Sequence, residues 1–144
     1  MKRIFLASLV IIITLMSSSC KKDKSTKCYI SIKDITGFYR ITKVMIGGAD
    51  VTSTYMTPCR QSANLQLYND KTAIYEETGA SCTGTSGGTW DLNLTTNKIS
   101  VATGGNIVNI TDATVTSWDC SSLVVSGNYS GSDYQVTLVR YQIP

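Results

Sequence analysis

The first apolar pattern in the chain is an almost unbroken run from Ile4 to Met16, preceded by Met1-Lys2-Arg3 and followed by Ser17-Ser18-Ser19-Cys20. A positive start, an apolar core of ~7–15 residues and small residues before a cleavage point make a secretory signal peptide. The run is too short to span a bilayer as a helix, which takes ~20 residues. Residues 21–34 then turn polar and charged, beginning Lys-Lys-Asp-Lys-Ser-Thr-Lys. With few apolar groups to bury, they read as a flexible tether.

Beyond residue 35 the rhythm changes. No stretch carries the 3.6-residue period of a helix; short segments rich in Val, Ile, Thr, Tyr and Trp alternate with Gly, Asn, Asp and Ser clusters. The first predicted strand runs from Gly37 to Ile46 and stops at Gly47-Gly48. Asn64–Tyr68 and Thr72–Glu77 flank a turn at Asn69-Asp70-Lys71. A glycine-rich loop through Gly87-Gly88 leads to the cleanest alternation, Trp90, Leu92 and Leu94 against Asp91 and Asn93, which implies one buried face and one wet face. Ile99–Val101, Ile107–Ile110, an irregular segment with Val115 and Trp118, and Leu123–Val125 follow. A turn over Gly127–Asp133 leads to a last strand with Tyr134, Val136 and Leu138 on one face.

About eight short strands with tight connections result. Pro58 and Pro144 both lie outside them, as ladder pairing requires. No connection is long enough for the helix that parallel neighbours would need. The predicted fold is therefore all-β and antiparallel, and an up-and-down barrel is favoured over a sandwich because closure removes exposed edges. The domain plan is residues 1–19 as signal peptide, 20–34 as anchor and tether, and 35–144 as barrel.

Charge changes the picture by its position. The chain holds 13 Lys+Arg, 10 Asp+Glu and no His. From residue 30 onward, however, seven Lys/Arg stand against nine Asp/Glu, a net of −2. The basic surplus belongs to the signal and tether, and the domain is not a nucleic-acid binder on charge grounds. Without histidine there is no Ser/His/Asp or Cys/His nucleophile system.

Two resemblances sharpen these expectations. Ser17-Ser18-Ser19-Cys20 followed by Lys21-Lys22-Asp23 resembles the relaxed lipobox of bacterial lipoproteins, particularly those of the Bacteroidetes group, although Ser17 stands where the pattern favours Leu. It implies cleavage before Cys20, acylation of Cys20, and a lipid-anchored place in the cell envelope at the outer membrane. The tether's lysines could make a weak second contact with anionic headgroups, but a solvated linker is their plainer role. Ile35-Thr36-Gly37-Phe38-Tyr39-Arg40-Ile41 is similar to the opening of lipocalin-like domains, in which a Gly-x-Trp unit closes the barrel floor; here Tyr39 takes the Trp position. Thr57-Pro58-Cys59, Leu65–Thr72, Ser81-Cys82 and Gly88–Leu92 follow in matching order. On this likeness Tyr39, Ile41, Leu65, Leu67, Tyr75, Trp90, Leu92 and Val136 become candidate interior contacts for a small apolar ligand.

Four cysteines remain after Cys20: Cys28, Cys59, Cys82 and Cys120. An even number in an exported domain points to disulfides, and four cysteines permit three pairings. Cys59 lies 11 residues before Asp70 and Cys82 lies 12 after it, so a hairpin turning at Asp70 brings them together at its open end. Cys28 and Cys120 are the remaining pair. A four-cysteine zinc site would need close Cys pairs, and the spacings of 31, 23 and 38 contain none.

Catalytic candidates dissolve on inspection. Glu76 and Glu77 are neighbours on a strand and point to opposite faces. Asp112 and Asp119 sit in turn-like contexts where Asp caps its own backbone, and no glycine cluster precedes a helix as a phosphate loop would. No enzyme, cofactor or metal is expected. Two functions remain: a carrier of a small apolar ligand, and a non-enzymatic interaction, inhibitor or accessory module of the envelope with a filled barrel.

Overall fold

The computed structural model describes residues 27–141 except 80 and 107. The expected signal peptide and Cys20 lie outside the described residues. After a one-turn helix, α1 (Ile32–Ile35), come β1 (Gly37–Ile46), a two-residue β2 (Ala49–Asp50), and one-turn helices α2 (Thr52–Tyr55) and α3 (Pro58–Gln61). Then follow β3 (Asn64–Leu67), β4 (Thr72–Glu76), β5 (Thr85–Asn93), β6 (Lys98–Thr103), a short 3-10 turn at Gly104–Asn106, β7 (Asn109–Trp118), β8 (Ser122–Tyr129) and β9 (Ser132–Arg140).

Neighbours in sequence are neighbours in space. From β3 to β9 each strand pairs antiparallel with the next, β1 pairs with β3, and β1–β9 pairing closes the circle. The result is an eight-stranded up-and-down antiparallel barrel, as the sequence pattern predicts, with β2 as an extra strand folded back on β1. Alternation supplies the interior: Leu65 and Leu67 from β3, Ala73 and Tyr75 from β4, Trp90 and Leu92 from β5, Ile99 and Val101 from β6, Leu123 and Val125 from β8 are all buried in one cluster. Each such aliphatic side chain contributes roughly 1.5–3 kcal/mol by leaving water.

Several local expectations change. The two segments expected around Ile110 and Val115 form one strand, β7, whose register breaks at two bulges. At the first, Asp112 has φ +51 and its N–H donates to Ser100 Oγ, so the extra residue is absorbed without ending the strand. Its carboxylate binds Lys98 at 2.5 Å instead of capping its own backbone, whereas Asp119 does cap, accepting from Ser121 and Ser122 N–H. The turn expected over Gly127–Asp133 shrinks to Ser130-Gly131, both at positive φ, the two-residue geometry that matches strand twist. Gly87 and Gly88 lie inside β5, where a Cβ on Gly88 would come within 1.9 Å of the Ala102 carbonyl oxygen. Leu94 leaves the alternation of its strand and is 54% exposed in the turn to β6, and Tyr68 lies in the β3–β4 turn.

The folded unit also reaches back before residue 35. Ser31 Oγ accepts the Asp34 N–H at 3.0 Å and caps α1, which places Ile35 fully buried in the barrel. Both disulfides form as paired above, Cys59–Cys82 and Cys28–Cys120, with Cα separations of 5.5 and 5.4 Å.

Candidate functional site

The two barrel ends differ in chemistry. One end gathers α1, the β3–β4, β5–β6 and β7–β8 turns and the end of β9. It is sealed by Arg140. Its Nη2 donates to the carbonyls of Asp34 and Thr36 and to the Tyr39 hydroxyl, and Nη1 donates to the Cys120 carbonyl at 3.3 Å. The guanidinium also lies 4.8 Å from the centre of the Trp118 ring. Tyr39 in turn donates to the Ile35 carbonyl at 2.5 Å. Trp90 Nε1 donates to the Tyr68 carbonyl at 2.7 Å, tying β5 to the adjacent turn. Burial pushes the Tyr39 phenol above its ordinary range, with Arg140 pulling it partly back.

The opposite end is open. Here β1 leaves the barrel and the chain crosses the mouth through α2 and α3 before entering β3. Pro58 begins α3, where its missing N–H is harmless, and Thr57 Oγ1 accepts from Arg60 N. Cys59 in α3 is bonded to Cys82 in the β4–β5 loop, which fastens this crossing segment over the mouth. Beneath it is a pocket of about 70 Å³, mostly apolar, lined by Ile41, Val44, Met56, Leu65, Tyr75 and Val108, with Tyr55, Arg60 and Ala63 at its edge. On the other side of Met56 is an open cleft of about 530 Å³, lined by Ile41, Thr42, Asp50, Thr52, Ser53, Met56 and Gln61.

Polar groups around the mouth hold one another. The Thr52 hydroxyl donates to Asp50 Oδ1 at 2.5 Å and accepts the Val44 N–H at 3.0 Å, so α2 is fastened near the end of β1. These Thr52 contacts hold the Asp50 carboxyl below the usual carboxylate range, helped by Lys43. Tyr75 donates to Glu77 at 3.2 Å, and burial together with the Glu77 charge pushes its phenol up to about 12. Arg60 Nη1 donates to the Tyr55 carbonyl at 3.3 Å.

Of the eight expected interior contacts, Ile41, Leu65 and Tyr75 meet in the mouth pocket. Tyr39 and Trp90 are floor groups, each committed to a hydrogen bond. Leu67 and Leu92 are packed inside the core, and Val136 lies half-buried against it. Val44, Met56 and Val108 were not among the expected contacts. Met56 follows no strand or helix period, and its only signal is that a disulfide three residues later fastens its segment. Among the described residues no group of three Cys, Asp or Glu side chains is placed to hold a metal ion. No helix among them is long and apolar enough to cross a membrane.

Fold and site thus define a closed antiparallel barrel with a sealed floor and a braced, solvent-open mouth. The chain matches no known family model, no curated protein and no solved structure.

Proposed function

We propose that this protein is a lipid-anchored lipoprotein of the bacterial cell envelope, with a lipocalin-like domain that acts without catalysis as an interaction module, presenting its mouth to a protein partner. The observation that carries the reading is the filled interior. Small-molecule pockets run to ~300–1,000 Å³, whereas the apolar pocket beneath the crossing segment is about 70 Å³ and the side chains below it are packed into one buried cluster. A barrel packed solid below a mouth fastened by Cys59–Cys82 serves best as a rigid platform. Such preorganisation reduces the ordering cost of binding. Tyr129, 73% exposed on the β8–β9 hairpin, and Tyr55, 45% exposed on α2, are aromatic groups of the kind that anchor interfaces. The anchor reading is supported by the residues around Cys20, and the lipocalin-like reading by Tyr39, which stands at the floor where the resemblance expects a closing aromatic.

A second reading, binding of a small ligand, is favoured by the continuity of the inner pocket with the outer cleft through Ile41 and Met56. A ligand would place only a few heavy atoms inside and most of itself in the half-polar cleft. Native mass spectrometry of protein purified from its own envelope separates the two. A stoichiometric protein partner without a small molecule is expected; a retained small molecule without a protein overturns the interaction reading.

A further inference from the structure

The Cys28–Cys120 disulfide fixes which end of the barrel the tether leaves. Cys120 lies in the β7–β8 turn, at the sealed end. Eight Cα–Cα steps, with seven intervening residues, separate Cys28 from Cys20. Fully extended they span at most ~28 Å, and an unstructured chain of that length averages only ~16 Å end to end. The barrel itself is about 25 Å tall, taking strands of nine or ten residues at a tilt of ~40°. With the mouth against the membrane the tether would have to run almost straight along the whole barrel. With the sealed end down that length is ample.

We infer that the sealed end rests on the lipid surface holding the Cys20 acyl chains, and that the mouth points away from it into the aqueous space. The inference rests on the lipid-anchor reading above. The sealed end carries the groups such a contact needs. Leu94 is 54% exposed at the β5–β6 turn, Tyr29 is 62% exposed beside Cys28, and Tyr68 is exposed at the β3–β4 turn. Tyrosines with exposed rings suit the headgroup region, where one end of the side chain is apolar and the other wet. At this end Lys71 pairs with Asp91 at 2.6 Å and Lys98 with Asp112, while the exposed turn carboxylates Asp70 and Asp119 are held by backbone N–H groups. The electrostatic attraction then comes from Lys21, Lys22, Lys24 and Lys27 in and beside the tether. Exposed aromatics also occur at the mouth, so the tether length, and not the apolar surface alone, decides the orientation. The consequence is functional: a partner approaching from solution meets the mouth unobstructed, while the floor is reserved for the bilayer.

The test places a tryptophan at each end of the mature, membrane-extracted chain, Leu94→Trp and Tyr129→Trp, with Tyr29→Trp as a second reporter should the first misfold. Each is reconstituted in vesicles of bromine-labelled phosphatidylcholine and phosphatidylglycerol, and the unsubstituted protein supplies the background from Trp90 and Trp118. The expected result is that Leu94→Trp loses most of its added emission and Tyr129→Trp keeps it. Quenching of Tyr129→Trp, of both or of neither overturns the orientation. The mass of the N-terminal peptide is read from the same sample: an unmodified Cys20 overturns the anchor reading and this inference with it, whereas an acylated Cys20 with the wrong quenching pattern overturns the orientation alone.

Discussion

Tyr39 and Arg140 face each other across the β1–β9 seam, and their side chains meet inside the barrel with Arg140 Nη2 donating to the Tyr39 hydroxyl at 3.1 Å. The pair closes two things together, the last strand onto the first and the floor onto α1, because the same guanidinium also holds the Asp34 and Thr36 carbonyls. A half-buried cation is tolerated here because several carbonyls and a ring surround it.

Removing that guanidinium should therefore loosen the seam and the floor at once. Arg140→Ala leaves buried carbonyls without their charged donor, and hydrogen bonds to charged groups contribute about 1.5–3 kcal/mol each. A loss of roughly 3 kcal/mol is expected in urea unfolding. Arg140→Lys should recover only part of it, since an ammonium cannot reach these divergent acceptors with a planar fork. Equal stability of the wild type and Arg140→Ala would show that the floor is held by packing alone.

Neighbouring glycines in β5 should respond in opposite ways to the same methyl group. A Cβ on Gly87 meets nothing within 4 Å, while one on Gly88 meets the Ala102 carbonyl oxygen and the Thr103 Cα of the adjacent strand. Backbone in a sheet cannot step aside as a side chain can. Gly88→Ala should cost at least ~3 kcal/mol or prevent folding, and Gly87→Ala should stay within about 0.5 kcal/mol of the wild type, by thermal or urea unfolding. A folded, equally stable Gly88→Ala would mean that β5 and β6 can separate freely.

These two glycines also show where sequence reading reaches its limit. Composition marks Gly87-Gly88 as a loop, because glycine weakens strands on average; close approach of β6 is a property of the assembled sheet and leaves no local trace. The same holds for Asp112, whose positive φ looks like a turn but marks a bulge inside β7. Strand order was legible, since alternation and short turns force neighbours to pair. Cys59–Cys82 was legible because hairpin symmetry about Asp70 is a local property. The mouth was not. Met56 and Val108 come together from segments 52 residues apart, one of them without any period, and only closure of the barrel brings them to the same pocket.

The two disulfides should differ in what their loss does. In the chain-entropy model the loop closed by Cys28–Cys120 (separation 92) restricts the unfolded chain by about 4.6 kcal/mol, and the loop closed by Cys59–Cys82 (separation 23) by about 3.4 kcal/mol. Cys28→Ser/Cys120→Ser should therefore lower stability more. Cys59→Ser/Cys82→Ser should instead raise amide exchange in residues 52–63 specifically, because the bridge is what fastens that segment across the mouth. Unchanged exchange there, with only a global loss of stability, would show that Thr52 and the α2 and α3 contacts suffice to hold the crossing.

Alkaline pH should weaken the fold through Tyr75. Its phenol is pushed up to about 12 by burial, the Glu77 charge and the hydrogen bond to Glu77, whereas in the unfolded chain it titrates near 10. Between these values the native state keeps a proton that the unfolded state has lost. Stability then falls as pH rises, being fully present below pH ~10 and lost as pH passes through the folded value. Tyr39, also shifted upward by burial, adds a slope of the same sign. Burial also raises Tyr134 and Tyr141, so Tyr75→Phe removes one of several such titrations without changing the packing volume much, and it leaves Glu77 without a hydroxyl donor. It should start less stable or equal at neutral pH and lose less between pH ~9 and pH ~12 than the wild type. Urea midpoints across that range check it. A wild type and a Tyr75→Phe variant that decline in parallel would place the alkaline weakness at the other tyrosines raised by burial, Tyr39, Tyr134 and Tyr141.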